Sequence, residues 1–379
     1  MKMRLMAAAA VAGMLAATGI AQAQIKIGAI MSISGPGAAM GVGYKGAFEL
    51  FPSEIAGQKV EYIIRDDATD ASTGYAIAQK MISEDHVDAI IGPSLTATDA
   101  AVAPLANQAK VPMLAMAPYE YDPQKQPYTF NDAQPLSLIV AKVFSYMKAR
   151  GVKDIGYIGF ADGWGDQVLA ATRQSAATDN IKILTDERYA RTDTTCEAQA
   201  LKLISAHPQA IMMGNSATPA ALPVVALRRL GYKGPIYGNH GIVSPAFIKV
   251  GGAAVNGVIA ATSPVVVADQ LPDSDPIKPV ATKFVKDYMA KFPGQGVGPF
   301  AGYSFDAFLL LQAAIPPALK AGKPGTEAFR VALRDALENT HALVGVSGVY
   351  DMSPTNHNGQ DSRAAVLVEV KDGAWKAIQ

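Results

Sequence analysis

The 379-residue sequence predicts an α/β fold of two doubly wound parallel-sheet lobes. Three observations carry the prediction. Short apolar strands alternate with helical patterns from Ile25 onward, an order that builds a parallel sheet covered by helices on both faces. The alternation runs twice, once up to Met113-Leu114 and again from Leu136, and it breaks near Ala261-Thr262-Ser263-Pro264. Turns such as Gly92-Pro93-Ser94 follow the strands at their carboxyl ends, where sheets of this kind take up ligands.

In chain order, the first unit is the buried strand IKIGAIM over 25–31, followed by a glycine-rich stretch from Ser32 to Gly46 and a short helix. The strand Val60-Glu61-Tyr62-Ile63-Ile64 ends at Asp66-Asp67. A helix over 72–85 leads to a strand over 87–91, and a helix over 97–109 leads to Val111-Pro112-Met113-Leu114. In the second series Leu136, Ile139, Val140, Val143, Phe144 and Met147 fall at helical spacing. A strand over 155–160 follows, with further strands near 181–189, 209–213 and 235–239. After the break, helices near 277–291, 301–319 and 326–338 have no strong strands between them and are expected to return to the first lobe. Val349-Tyr350, 365–370 and Trp375 predict short antiparallel strands that close the second lobe.

Composition narrows the function classes. The length suits two or three ordinary domains, and a formal net charge of +0 argues against a nucleic-acid partner. The lone Cys196 has no internal disulfide partner, which leaves it a packing role. Lys2 and Arg4 precede an apolar run from Leu5 to Ile20, and Ala21-Gln22-Ala23 has the small-x-small form of a cleavage site. Residues 1–23 are therefore expected to be a signal peptide cut after Ala23. The run is too rich in Ala and Gly for a membrane anchor, and no cysteine stands at the cut to take a lipid.

The stretch Ile90-Ile91-Gly92-Pro93-Ser94-Leu95-Thr96-Ala97-Thr98-Asp99 reads as strand, turn and helix N-terminus. Free N–H groups there make a seat for an anion, and Thr96 and Thr98 add hydroxyls. A capping box, with Thr96 as N-cap and Asp99 three residues on, would satisfy the same groups without a ligand. Gly41-Val42-Gly43-Tyr44-Lys45-Gly46 has the spacing of a dinucleotide fingerprint, with Asp66 beyond it. That motif needs a tight turn directly off a strand, whereas the first strand ends about ten residues earlier. Gly214-Asn215-Ser216-Ala217-Thr218 lacks the last glycine of a nucleophile elbow. His86, His207, His240, His341 and His357 show no metal-ligand spacing, so neither an enzyme nor a cofactor or metal is indicated.

Several motifs fall in an order that carries a resemblance: Ser34-Gly35-Pro36, Ile91-Gly92-Pro93-Ser94 and Gly159-Phe160-Ala161-Asp162-Gly163-Trp164-Gly165. Over its whole mature length the chain resembles the substrate-binding proteins of branched-chain amino-acid-type ABC transporters. Arg228-Arg229-Leu230-Gly231-Tyr232-Lys233-Gly234-Pro235-Ile236-Tyr237, Ala268-Asp269-Gln270-Leu271-Pro272 and Met352-Ser353-Pro354 are similar to the branch that takes up aromatic acids. The resemblance implies a type I periplasmic binding fold with three hinge crossovers, near 131–135, 262–266 and 341–348. It divides the chain into an N-terminal lobe of 24–132 plus 264–342 and a C-terminal lobe of 133–263 plus 343–379. It also implies a monomeric periplasmic protein that hands a small carboxylate to an inner-membrane permease.

Pocket positions transfer one residue at a time. Thr96 matches the hydroxyl residue that holds the ligand's carboxylate, with backbone support from Leu95 and Ala117. Met40, placed in the loop after the first strand, matches an aromatic wall position. Trp164 matches a lidding tyrosine, and Phe300 a further aromatic contact. Tyr119 stands where the family has a threonine, and His240 where it has the acid that pairs with an ammonium. From residue type alone, Trp164 and Phe300 also suit a core and His240 also suits a turn cap. A histidine in place of the acid removes the main preference for amino acids, because a buried cation needs a paired charge. The expected ligand is thus an aromatic acid such as a benzoate or cinnamate derivative. A branched-chain or other aliphatic amino acid is the alternative, and a ligand-sensing lobe of the same fold a further one.

Overall fold

The computed structural model describes residues 24–378, so the expected signal peptide lies outside the described residues. The first lobe is built from β1 (Ile25–Met31), α1 (Ala38–Phe48), β2 (Glu54–Ile55), β3 (Gln58–Asp66), α2 (Ala71–Lys80), β4 (Ala89–Ile91), α3 (Thr96–Gln108), β5 (Met113–Ala115) and β6 (Thr129–Asn131). Their sheet has the order β2-β3-β1-β4-β5-β6, parallel except for the short edge hairpin of β2 with β3. Residues of β1, β4 and β5 are almost all buried, as strands covered on both faces must be.

The chain then enters the second lobe with α4 (Leu136–Ala149), β7 (Asp154–Phe160), α5 (Gly163–Asp179), β8 (Lys182–Tyr189), α6 (Glu197–Ser205), β9 (Ala210–Gly214), α7 (Ala221–Arg229), β10 (Ile236–Gly238), α8 (Pro245–Gly251) and β11 (Ile259–Thr262). It continues through α9 (Ile277–Lys291), α10 (Pro299–Ala321) and α11 (Glu327–Glu338), then β12 (Leu343–Val344), β13 (Val349–Tyr350), β14 (Val366–Lys371) and β15 (Ala374–Ala377). The second sheet runs β15-β14-β11-β10-β9-β7-β8, with β14 and β15 antiparallel at one edge.

The helices α10 and α11 pack back onto the first lobe. In α11 the buried Phe329, Leu333 and Leu337 recur every four residues, and Thr326 caps the helix by accepting the Phe329 N–H at 3.2 Å. Chain order therefore crosses between the two sheets three times. The segment Pro264–Gln270, placed with the first lobe from the sequence, is tied to the second sheet where the Ala377 N–H donates to Gln270 Oε1. Val349-Tyr350 also departs from expectation. It pairs with Leu343-Val344 in a separate two-stranded ribbon, because the Tyr350 ring is buried with the first-lobe core and its hydroxyl donates to Asp306 and to the Asp132 carbonyl.

In each sheet the strand order reverses at one point, and the loops there part to leave a crevice. In the first lobe it lies beyond β1 and β4, in the second beyond β7 and β9. Two crossing segments are bolted together beside these crevices. Tyr303 donates to Gln134 Oε1 at 2.5 Å, and Gln134 donates to the Ser347 carbonyl at 3.1 Å. Asp306 on α10 accepts the N–H groups of Val346 and Ser347 at 2.7 and 2.8 Å. Among the described residues, no helix is long and apolar enough to cross a membrane.

Candidate ligand-binding cleft

A cavity of about 340 Å³ opens where the two crevices face each other. The first lobe contributes α1, the β4–α3 turn, the loop after β5 and the start of α10. The second contributes the ends of β7, β8, β9 and β10. Seven residues singled out from the sequence meet there: Met40, Leu95, Thr96, Ala117, Trp164, His240 and Phe300. Met40 is not in a loop, since α1 begins at Ala38 and the glycine-rich stretch is largely helical. The fingerprint-like glycines thus lie within α1. Asp66, far from a ribose site, accepts the Ile33 and Ala68 N–H groups and shapes the loop after β1.

Tyr119 is the exception and lies outside this cavity. Its ring stacks on Tyr121 at 5.5 Å and 17°, in a separate crevice with Asn131, His357 and Asn358, because the chain turns away after Pro118.

The start of α3 is left uncapped by its own side chains. Leu95, in extended conformation, occupies the N-cap position of α3, and no side chain caps that helix. The capping box expected of Thr96 and Asp99 does not form. Thr96 is the first helical residue and donates its hydroxyl to the Pro118 carbonyl at 3.0 Å. The Asp99 carboxyl turns inward, fully buried and with neither oxygen hydrogen-bonded. Burial, then Asp132 and Asp67, push it well above the usual carboxylate range. The opening N–H groups of α3 are orphans of the helix, at its positive end, and Leu95, Thr96 and Ala97 bring them to the cavity. Thr96 would meet a carboxylate through its backbone, since its hydroxyl proton is already placed.

Beside the seat is an aromatic wall. Tyr44 donates to the Met116 carbonyl at 2.9 Å, which fixes its ring 5.4 Å from Phe300. Tyr303 stands 6.3 Å from Phe300.

Across the cavity Asp162 caps α5 by accepting the Gly165 N–H, which sets Trp164 in the first turn. Trp164 meets His240 edge to face at 5.5 Å and 81°, and His240 in turn lies 6.1 Å from Tyr303 of the first lobe. His240 does not cap its turn. Asn239 does so, accepting the Gly241 N–H at 2.8 Å. Burial pushes the His240 imidazole down to about 3, so it is neutral at ordinary pH.

Sequence reasoning missed Arg191. Its Nε donates to Asp162 Oδ2 at 3.0 Å, its Nη2 makes an ion pair with the same oxygen at 2.9 Å and its Nη1 donates to Ser216 Oγ at 2.9 Å, with the guanidinium 4.1 Å over the Phe160 ring. Its place two residues past β8 was the available signal, as strand ends face such clefts. Among the described residues, Asp162 and Arg191 are the charged side chains lining the cavity, and they neutralise each other. No group of three His, Cys, Asp or Glu among the described residues is placed to hold a metal ion. The site can seat one carboxylate, pack a ring and offer neutral hydrogen bonds.

Residues 24–374 match the family model described as periplasmic binding protein. An extracellular ligand-binding receptor from Rhodopseudomonas palustris is 36% identical, with a TM-score of 0.92 over 94% of this chain and 100% of that one. A leucine binding protein from Thermotoga maritima shares the fold at 23% identity and a TM-score of 0.80, over 94% of this chain and 98% of that one. Leu/Ile/Val-binding protein homolog 6 from Brucella abortus is 27% identical over 179 residues, 41% of this chain. That match spans 46% of the relative, less than half its length.

Proposed function

Since this chain belongs to the periplasmic binding protein family, we propose that it is the extracytoplasmic solute-binding protein of an ABC importer. Its ligand is a small aromatic carboxylate, a benzoate or cinnamate derivative, captured between lobes that close about the three crossovers. The carboxylate rests on the N–H groups that open α3, with Leu95, Thr96 and Ala97 around it. The ring lies between Met40 and Phe300 on one side and Trp164 on the other. The protein works in the periplasm after loss of residues 1–23, as a monomer, and passes its ligand to a membrane permease.

One observation carries the choice of ligand. Asp162, the carboxylate of the cavity wall, is committed to Arg191 and to the Gly165 N–H, so an ammonium entering the cleft finds no free partner. A buried unpaired cation is costly by several kcal/mol. The second reading, an aliphatic amino acid, is favoured by the names of the Brucella and Thermotoga proteins. A thermal-shift screen of residues 24–379 against benzoates, cinnamates and leucine separates the two. A ligand at about 100 times its Kd adds about 2.7 kcal/mol of stability. Stabilisation by leucine with no response to any aromatic acid overturns the proposal.

A further inference from the structure

The chain passes between the lobes near 131–135 and again beyond the β12–β13 ribbon, and the two crossings are tied to each other. Each backbone carbonyl from Asn131 to Ala133 accepts from a side chain of the later segment. Asn358 Nδ2 donates to the Asn131 and Ala133 carbonyls at 2.9 and 2.8 Å, and Gln360 Nε2 and the Tyr350 hydroxyl donate to the Asp132 carbonyl at 3.0 and 3.1 Å. The Asn131 N–H returns a bond to the His357 carbonyl at 3.1 Å. Asn358 Oδ1 accepts the Gln360 N–H at 3.2 Å, so the network orients that amide with its two protons toward the two carbonyls.

The later segment is also anchored to the first lobe. The His357 ring stacks on Phe130 of β6 at 4.3 Å and 13°, with Nδ1 2.8 Å from the Thr129 carbonyl, and the Met352 N–H donates to the Thr340 carbonyl at 2.8 Å. Toward the second lobe it faces Ser137 and Gln167 across a crevice of about 380 Å³. Beyond this clasp Asp361, Ser362 and Arg363 are exposed, and the Asp361–Arg363 bonds lie within their own turn before β14 begins. On the earlier crossing Gln134 is still bonded to Ser347, but Pro135 has no N–H to give and α4 begins at the next residue. Segments bonded in this way move as units, and rotation is absorbed by the few residues between them. We infer that 343–360 moves with the first lobe, welded to the first crossing by Asn358 and Gln360, so that the lobes turn about Pro135 and about 361–365. The second lobe then resumes near 361 and not at 343, where the resemblance divided the chain. The inference takes from the proposed function only that the lobes close on a ligand.

Spin-label distances on residues 24–379 test it in a Cys196→Ala background. Thr355→Cys is paired either with Ala76→Cys on α2 or with Ala198→Cys on α6, all three positions being exposed. Distances are taken without ligand and with benzoate, cinnamate or leucine, whichever raises the melting temperature most. The 76–355 distance should be narrow and unchanged by ligand, while the 198–355 distance shifts. The reverse pattern places the segment with the second lobe and overturns the inference, whether or not any clasp variant folds. Asn358→Asp keeps the size of the side chain but turns its donor into an acceptor facing two carbonyls. It should broaden the ligand-free 76–355 distribution and weaken binding several-fold, because fewer molecules hold the closing geometry. Gln360→Ala, which removes one donor, should act in the same direction and less. A 76–355 distribution left narrow in Asn358→Asp, with Kd unchanged, overturns the clasp. If neither distance responds to any of the three ligands, lobe closure is refuted, and the ligand-free comparison of the parent with Asn358→Asp still decides the clasp.

Discussion

The substitution Ala97→Asp tests the carboxylate seat with opposite signs for folding and binding. Ala97 is exposed, lies in the first turn of α3 and lines the cavity, so an aspartate there displaces no buried contact. Its charge complements the orphan N–H groups and the positive end of the helix, worth about 0.3–1 kcal/mol of stability. The same charge occupies the seat. Against a ligand carboxylate about 5 Å away at an effective dielectric of ~20, repulsion amounts to about 3 kcal/mol, more than a hundredfold in Kd. Ala97→Asn, which is neutral and of the same size, should bind within a few-fold of the parent. The assay is calorimetry with whichever benzoate or cinnamate gives the largest thermal shift, together with the melting temperature of each ligand-free variant. A loss of affinity with unchanged or raised melting temperature cannot be a folding defect. If Ala97→Asp binds the acid within threefold of the parent, the carboxylate lies elsewhere and the reasoning about α3 is wrong.

Two further predictions concern the scaffold. Burial pushes Asp306 up to about 6 from its usual 3.8, although the N–H groups of Val346 and Ser347 and the Tyr350 hydroxyl bond to it and oppose the shift, so between about pH 4 and 6 the folded chain holds a proton that the unfolded chain has released. Its contribution therefore falls as pH rises through that window, by about 3 kcal/mol for a shift of about two units, and Asp99 and Asp132 act in the same direction. Urea unfolding from pH 4 to 7 should show a more positive stability-versus-pH slope in Asp306→Asn than in the parent, and identical slopes would refute the assignment. In Gly41→Ala the added carbon would sit 2.1 Å from the Ser32 carbonyl oxygen, which forces α1 away from the loop after β1. A stability loss of about 1–3 kcal/mol is expected, with weaker ligand binding because Met40 and Tyr44 ride on that helix. An unchanged denaturation midpoint would contradict it.

Periodicity made the alternating lobes readable, because strands buried on both faces are near-continuous apolar runs and helices such as α11 repeat their apolar residues every four positions. The cleft residues that were legible share one property: they follow directly on a strand or open a helix, as Thr96, Trp164, His240 and Phe300 do. Where the local signal misled, a distant contact had decided. Glycines 41, 43 and 46 look like loop formers, yet Gly41 is small because α1 passes close to Ser32. Asp99 has the spacing of a capping residue, but its carboxyl faces the buried acids Asp67 and Asp132, which come from other loops. Arg191 looks like an ordinary solvated charge until the fold brings it to Asp162, 29 residues away, and to Ser216, 25 residues away. Nothing in Tyr119 itself says on which side of Pro118 its ring will fall.

If the proposed ligand is right, position 240 limits what sort of ligand end the second lobe tolerates. Burial holds the His240 imidazole at about 3, so it meets the cleft as a neutral group and not as a ready cation for a second carboxylate. It has no negative form within reach either, so it cannot stand in for the acid that would bind an ammonium. Arg191 and Asp162, the charged side chains of the cavity wall, are held to each other by a hydrogen bond and an ion pair, and separating them would leave one of the two unpaired. On the aromatic-carboxylate proposal the charge on the ligand is confined to the α3 end, and discrimination at the other end falls to shape and to neutral hydrogen bonds. That division predicts that Ala97→Asp weakens every carboxylate ligand by a similar factor, whatever group its far end carries, and a loss that varies widely with the far end would contradict it.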